Sequence, residues 1–155
     1  MSYSPPIDEV LYSLEHVSNG KTLKGWDGEL LSDLFNSYAT LCGDQIAPIN
    51  GTGDAQGATL IDGRVVLPER FKEAFTVYAE QGWMGLTIPE QFGGYGLDEM
   101  GLDGLALAGT SELLSGANHA FQMLVGLAPG LVRVLLKFGT EDQKRLYLPQ
   151  LATGQ

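Results

Sequence analysis

Apolar residues return along this chain at helical intervals for most of its length. From Asp27 onward, Leu30, Leu31, Leu34, Phe35, Tyr38, Leu41, Cys42 and Ile46 recur at steps of three and four, which predicts an amphipathic helix. Asp27 is placed to cap its start and Pro48 to close it. A second stripe of Phe71, Ala74, Phe75, Tyr78 and Ala79 predicts another helix, with Pro68 in its first turn and Gly82 at its end. A third begins near Asp98 and carries Leu102, Leu105, Ala106, Ala108 and Leu113. Its glycines Gly101, Gly104 and Gly109 lower intrinsic helicity but let a neighbouring helix come close. The run "NHAFQMLVGLAPGLVRVLLKF", Asn118 to Phe138, is apolar on most sides, which predicts the middle of a bundle, kinked or restarted at Pro129. Gly139 ends it. Thr140 to Gln143 reads as a capping box that starts a last helix, predicted to stop near Pro149.

Two stretches break this beat. Residues 1–26 read as an N-terminal arm: Pro5 and Pro6 oppose a helix, and Leu11, Leu14 and Val17 allow a short turn before Asn19-Gly20 stops it. "INGTGDAQGATLIDGRVVLPE" interrupts the helices, and its Asp62-Gly63 pair between "ATLI" and "RVVL" signals a short β-hairpin. Two short strands make no core of their own, so the hairpin is an elaborated connection. The expected fold is all-α, a helical bundle over 27–155 with one β-hairpin insertion.

Composition narrows the function classes. A chain of 155 residues has the size of one domain, and 44% hydrophobic against 18% charged residues is a folding composition. Nineteen acids against nine bases give a net charge of -10, a field that repels nucleic acid and anionic membranes and otherwise serves solubility. Cys42 is the single cysteine, which excludes an internal disulfide and a cysteine metal cluster; it reads as a small core residue rather than a nucleophile. The first residues lack the basic and apolar regions of a signal peptide, and no apolar run is expected to approach membrane-spanning length, so the cytoplasm is the default location.

Candidate chemistry is sparse. "GWMGLTIPEQFGGYGLDEMGLDG" holds seven glycines, yet Gly94-Tyr95-Gly96 lacks the third glycine of a dinucleotide fingerprint, and no Gly-Lys-Ser/Thr follows. The helix beyond opens with Asp98 and Glu99, which occupy the anion-attracting end themselves. The residues lean towards a tight connection between helices rather than a phosphate cradle. His16 lies in the arm, and His119 has no second ligand at metal spacing and no evident nucleophile partner. Glu112 is a candidate buried acid with a raised pKa, although such a residue more often faces water. No serine sits in a nucleophile elbow. The expectation is that this chain holds no complete active site and no metal site.

The glycine-rich stretch then gains a specific meaning. "GWMGLTIPEQFGGYGL" resembles the signature connection of the N-terminal helical domain of acyl-CoA dehydrogenases, and "FGTEDQKRLYLPQLATGQ" resembles that family's second helical-domain signature, through Gly139, Thr140, Gln143, Lys144, Tyr147, Leu148, Pro149 and Gly154. The resemblance is good from Asp54 to Gln155. More loosely, the arm and the insertion are similar to a longer branch that includes 3-methylmercaptopropionyl-CoA dehydrogenase.

The resemblance implies three joined domains, of which the middle β domain and the C-terminal helical domain are absent from this chain. It implies noncovalent FAD and oxidation of an acyl-CoA to the α,β-enoyl-CoA, with a glutamate base taking the α-proton and the β-hydride passing to the flavin. The hydrogen-bonded thioester carbonyl acidifies that proton. It further implies an electron-transfer flavoprotein as electron acceptor and a homo-oligomer. The base and the main flavin contacts are expected outside these 155 residues. Phe121, Gln122, Val125 and Pro129 align with the pocket-lining helix of relatives and are the candidate wall of the acyl pocket, a spacing that ordinary core packing also produces. The competing expectation is a stand-alone helical binding module or non-catalytic subunit. The two diverge on whether a strand-rich segment with Thr-Glu-Pro follows Gln155 in the gene.

Overall fold

The spine of the structure is α2, Gly28–Leu41, which starts where the sequence places it: the Asp27 carboxylate accepts the Leu30 N–H at 2.9 Å. The computed structural model describes residues 3–155. The buried stripe of α2 (Leu31, Leu34, Phe35, Tyr38 and Leu41) packs against α6, Asp103–Ala117. That approach is close because Gly109 of α6 lies against the Phe35 ring, where a Cβ would collide. The N-terminal segment is more helical than expected. Pro6 directly precedes α1, Ile7–Tyr12, where its missing N–H costs nothing, and one π turn carries the chain to Val17. Helix α1 packs on α2 and α6 and buries Val10, the π turn buries Leu14, and the Tyr3 hydroxyl donates to the Leu113 carbonyl at 2.7 Å.

Pro48 does not close the helical run. It stands in the first turn of a 3-10 segment, Ala47–Ile49, where no N–H is needed, and α3, Asn50–Gln56, follows inside the stretch expected to be irregular. The hairpin appears as predicted: β1 Thr59–Ile61 pairs antiparallel with β2 Arg64–Val66, and Asp62 and Gly63 both take positive φ in the turn. All six strand residues are exposed. Helix α4, Phe71–Glu80, begins three residues after Pro68 because Arg70 adopts a left-handed conformation that turns the chain first.

Beyond the glycine-rich connection, the helix expected from Asp98 is two helices. Short α5, Leu97–Met100, ends at Gly101 with φ of 73°, and α6 starts afresh. The largest departure is Asn118–Phe138. Asn118 caps α7, His119–Val125, with its Oδ1 accepting the Phe121 N–H at 3.0 Å. The chain turns at Gly126–Leu127, and Pro129 sits in the first turn of α8, Ala128–Phe138. These helices do not lie in the middle of the bundle. Met123, Leu124, Leu127, Leu131, Val134 and Phe138 are exposed, and α8 fully buries only Val132. Sequence periodicity registers apolarity and cannot say whether the covering surface is in the same chain. His119–Phe138 is also long and apolar enough by length and composition to cross a membrane, correcting the expectation that no run reaches that length; the turn at Gly126–Leu127 divides it.

The capping box forms: Thr140 Oγ1 accepts the Gln143 N–H, and Gln143 Oε1 accepts the Thr140 N–H at 2.9 Å. Helix α9, Glu141–Ala152, runs through Pro149 rather than stopping there. The carbonyl that Pro149 leaves free belongs to exposed Arg145, within reach of water. Helices α8 and α9 pair around a second small core of Ile88, Val132, Leu148 and Ala152.

The two kinds of helical glycine separate cleanly in a stability experiment. Gly109→Ala is expected to destabilise by about 1–3 kcal/mol through overpacking against Phe35. Gly104→Ala, with open space at its Cβ, is expected to be neutral or to stabilise by up to about 1 kcal/mol. Urea midpoints of the two variants check this.

Candidate functional site

The glycine-rich connection is built to be rigid. The backbone N–H groups that a phosphate would need are already spent: Gly93 donates to Glu90, Gly94 to Pro89, Tyr95 to Gly85 and Gly96 to Ile88, at 2.9–3.3 Å. At Gly94 a Cβ would meet the Ile88 carbonyl, so the chain folds onto itself where only glycine fits. The Trp83 and Tyr95 rings stack with centroids 5.9 Å apart, and the Trp83 Nε1–H donates to Gln81 Oε1 at 2.9 Å. Helix α9 rests against this connection. The connection joins α4 on one side to α9 on the other.

A crevice lies at the joint of α7 and α8. Of the predicted pocket residues, Gln122, Val125 and Pro129 line it together, with Tyr38 from α2, Tyr78 from α4, Trp83, Met84 and Thr87 from the connection, and Thr110 and Ser111 from α6. Its free volume is about 30 Å³. Phe121 is placed apart, 0% exposed, with its ring centroid 6.0 Å from that of Phe71 and 5.9 Å from that of Tyr78. It anchors α7 and does not face the crevice.

Sequence reasoning missed the tyrosines as site residues because both fall on apolar stripes. The available signal was a phenol at a core position, a group that needs a hydrogen-bond partner when buried. The Tyr38 hydroxyl donates to the Tyr78 hydroxyl at 3.3 Å. Burial is the main cause that raises the Tyr38 phenol and pushes Tyr78 up to about 12, so both stay protonated at neutral pH.

The other candidates lie elsewhere. His119 opens α7 on the surface, beside a groove it shares with Asn50, Asp54 and Met123. His16 is exposed in the first segment, 3.5 Å from the Glu15 carboxylate, and Glu112 faces solvent. Among the described residues, no three His, Cys, Asp or Glu side chains gather as a metal site would require. Cys42 is fully buried, which pushes its thiol up to about 12 and leaves it inert as a nucleophile.

Comparison with known proteins decides the family. The profile of the acyl-CoA dehydrogenase N-terminal domain matches residues 39–155. This chain belongs to the acyl-CoA dehydrogenase N-terminal domain family. It is 32% identical to 3-methylmercaptopropionyl-CoA dehydrogenase of Ruegeria pomeroyi across 100% of this chain and 26% of that protein. It is 31% identical to (2S)-methylsuccinyl-CoA dehydrogenase of Cereibacter sphaeroides across 94% of this chain and 24% of the relative. With acyl-CoA dehydrogenase FadE26 of Mycobacterium tuberculosis the identity is 28%, over 81% of this chain and 28% of the relative. The chain thus spans about a quarter of the length of these curated relatives. The family is generally FAD-dependent. The glycine-rich connection does not fit the phosphates of that cofactor, since its N–H donors are paired internally.

The buried acids of the crevice and core give an alkaline signature. In an unfolded chain the thiol ionises from 9.0 and the phenols from 10.0, whereas burial holds Cys42 and Tyr78 protonated up to about 12. The unfolded state therefore loses protons first. Stability is complete below pH 9.0 and falls as pH rises towards about 12. Urea midpoints measured across this range check it, with a shallower fall expected for Cys42→Ala.

Proposed function

We propose that this chain serves as the N-terminal helical domain of an FAD-dependent acyl-CoA dehydrogenase, which oxidises an acyl-CoA thioester to the α,β-enoyl-CoA. In this reading residues 27–155 are the family domain, residues 1–26 its N-terminal extension, and the middle β and C-terminal helical domains are supplied by further protein. The single observation that carries it, beside family membership, is the bare apolar face of α7 and α8. Contiguous exposed apolar surface of this kind marks an interaction site. Arg133 stands within that run, 3.9 Å from Asp103, and Lys137 follows it. A face interrupted by cations and split by a turn suits a protein neighbour better than a lipid core.

In this role Gln122, Val125 and Pro129 form the end wall of the acyl pocket, and Phe121 holds that wall in place. The work of this chain is to bind the tail and exclude water; the base and the flavin contacts belong to the other domains. FAD, when bound, supplies the acceptor for the hydride. The enzyme is proposed to be a cytoplasmic homo-oligomer that passes electrons to an electron-transfer flavoprotein. The alternative, a stand-alone helical binding module, would use the same bare face for a protein partner.

One experiment separates the two. The product of the whole reading frame containing this sequence is expected to purify with FAD and to oxidise acyl-CoAs with an artificial electron acceptor. The 155-residue chain alone is expected to bind no stoichiometric flavin and to show no turnover. Absence of both flavin and turnover from the whole product would reject the enzyme reading and favour the binding module.

A further inference from the structure

The crevice at the α7–α8 joint is lined by two phenols that share a single hydrogen bond. Tyr38 and Tyr78 are 1% and 7% exposed, and their hydroxyls meet at 3.3 Å. Two phenols carry two protons. One proton is used in the bond between them, and among the described residues neither hydroxyl makes a second hydrogen bond. Either hydroxyl can be the outward one, because the pair can reverse its direction. A buried phenol usually finds a partner, so this proton points to a group that is not part of this chain.

The surroundings say what that group is. Thr87, Ser111 and Gln122 place polar side chains around the same crevice, while Met84, Leu114, Val125 and Pro129 supply apolar walls. Mostly apolar walls with a few convergent polar groups are the mark of a site that orients a ligand. The volume of about 30 Å³ admits about two non-hydrogen atoms, since a single water needs some 10–15 Å³ on the same measure. No cationic side chain lines the crevice, so it does not call for a carboxylate.

We propose that the Tyr38–Tyr78 pair is a specificity determinant: its spare phenolic proton receives an oxygen acceptor (ether, hydroxyl or carbonyl) near the distal end of a short acyl chain. The preferred substrate is then a short acyl-CoA with a neutral oxygen near its tail rather than a plain alkyl chain. This rests on the reading that the crevice ends the acyl pocket. A plain alkyl tail would leave the donor unpaired and displace any water that served it, which is the stronger form of discrimination available to a pocket. A long alkyl tail would not fit.

The test uses the flavin-loaded enzyme that contains this chain and compares kcat/KM for two tails of equal length, 4-methoxybutyryl-CoA and hexanoyl-CoA. The wild type is expected to favour the ether by about tenfold or more, as a lost hydrogen bond to a buried donor commonly costs. In Tyr38→Phe/Tyr78→Phe no donor remains, and the ratio of kcat/KM for the ether to that for hexanoyl-CoA is expected to fall to about one. Tyr78→Phe alone leaves Tyr38 with its proton and no internal acceptor, so it is expected to keep the preference. Equal or greater activity on hexanoyl-CoA in the wild type would overturn the proposal and leave the enzyme reading intact. An ether preference that survives in the double variant would overturn it too, by placing the selectivity elsewhere. No oxidation of any acyl-CoA would overturn both.

Discussion

The ring of Phe121 is the contact on which the arrangement of this chain depends. It lies fully buried between Phe71 of α4 and Tyr78 of the same helix, and its N–H is held by the Asn118 cap. Helix α7 is only seven residues long and has little stability of its own. Phe121 and Val125 supply its inward face, and Asn118 fixes the angle at which it leaves α6. With that face pinned, residues 123, 124 and 127 have no choice but to point away from the bundle. The interior contact therefore determines which surface is left bare.

The same contact shapes the crevice. Tyr78 touches Phe121 on one side and bonds Tyr38 on the other, and Tyr38 packs edge-on against Trp83 at 4.7 Å. An aromatic chain thus runs from α7 through α4 and α2 to the glycine-rich connection. Trp83 extends it to Tyr95, and the internally paired N–H groups of residues 93–96 keep that end from moving. Glycine serves here to let backbone meet backbone. The pocket wall proposed for substrate is rigid because it is the outside of this aromatic stack.

Much of the fold was legible because local chemistry decided it. The Asp27 cap, the Thr140–Gln143 capping box and the Asp62-Gly63 turn each form as the residues dictate, since their geometry needs no distant partner. The prolines were harder. Pro48 and Pro149 were expected to end helices, but Pro48 begins a new turn and Pro149 is carried within α9. In a first turn no N–H is needed, and inside a helix the carbonyl left unpaired costs less where water can reach it, which depends on tertiary burial. The run from Asn118 to Phe138 failed for a related reason: its pattern gave the right amount of apolar surface but not that the bundle leaves much of it exposed. In the candidate site, Gln122, Val125 and Pro129 converge, whereas the Tyr38–Tyr78 pair was hidden in two stripes forty residues apart that meet only in three dimensions.

The outer face of α7 and α8, bare in this chain, is proposed to be covered by further protein. Light scattering over a dilution series, together with binding of a hydrophobic dye, tests it on the 155-residue chain itself. Leu127 and Phe138, 76% and 73% exposed, are the residues to change. The wild-type chain is predicted to bind dye and to self-associate as concentration rises, and Leu127→Lys/Phe138→Lys to lose both while keeping the same helical circular dichroism. A wild-type chain that stays monomeric at every concentration and binds no dye would show that this face needs no cover.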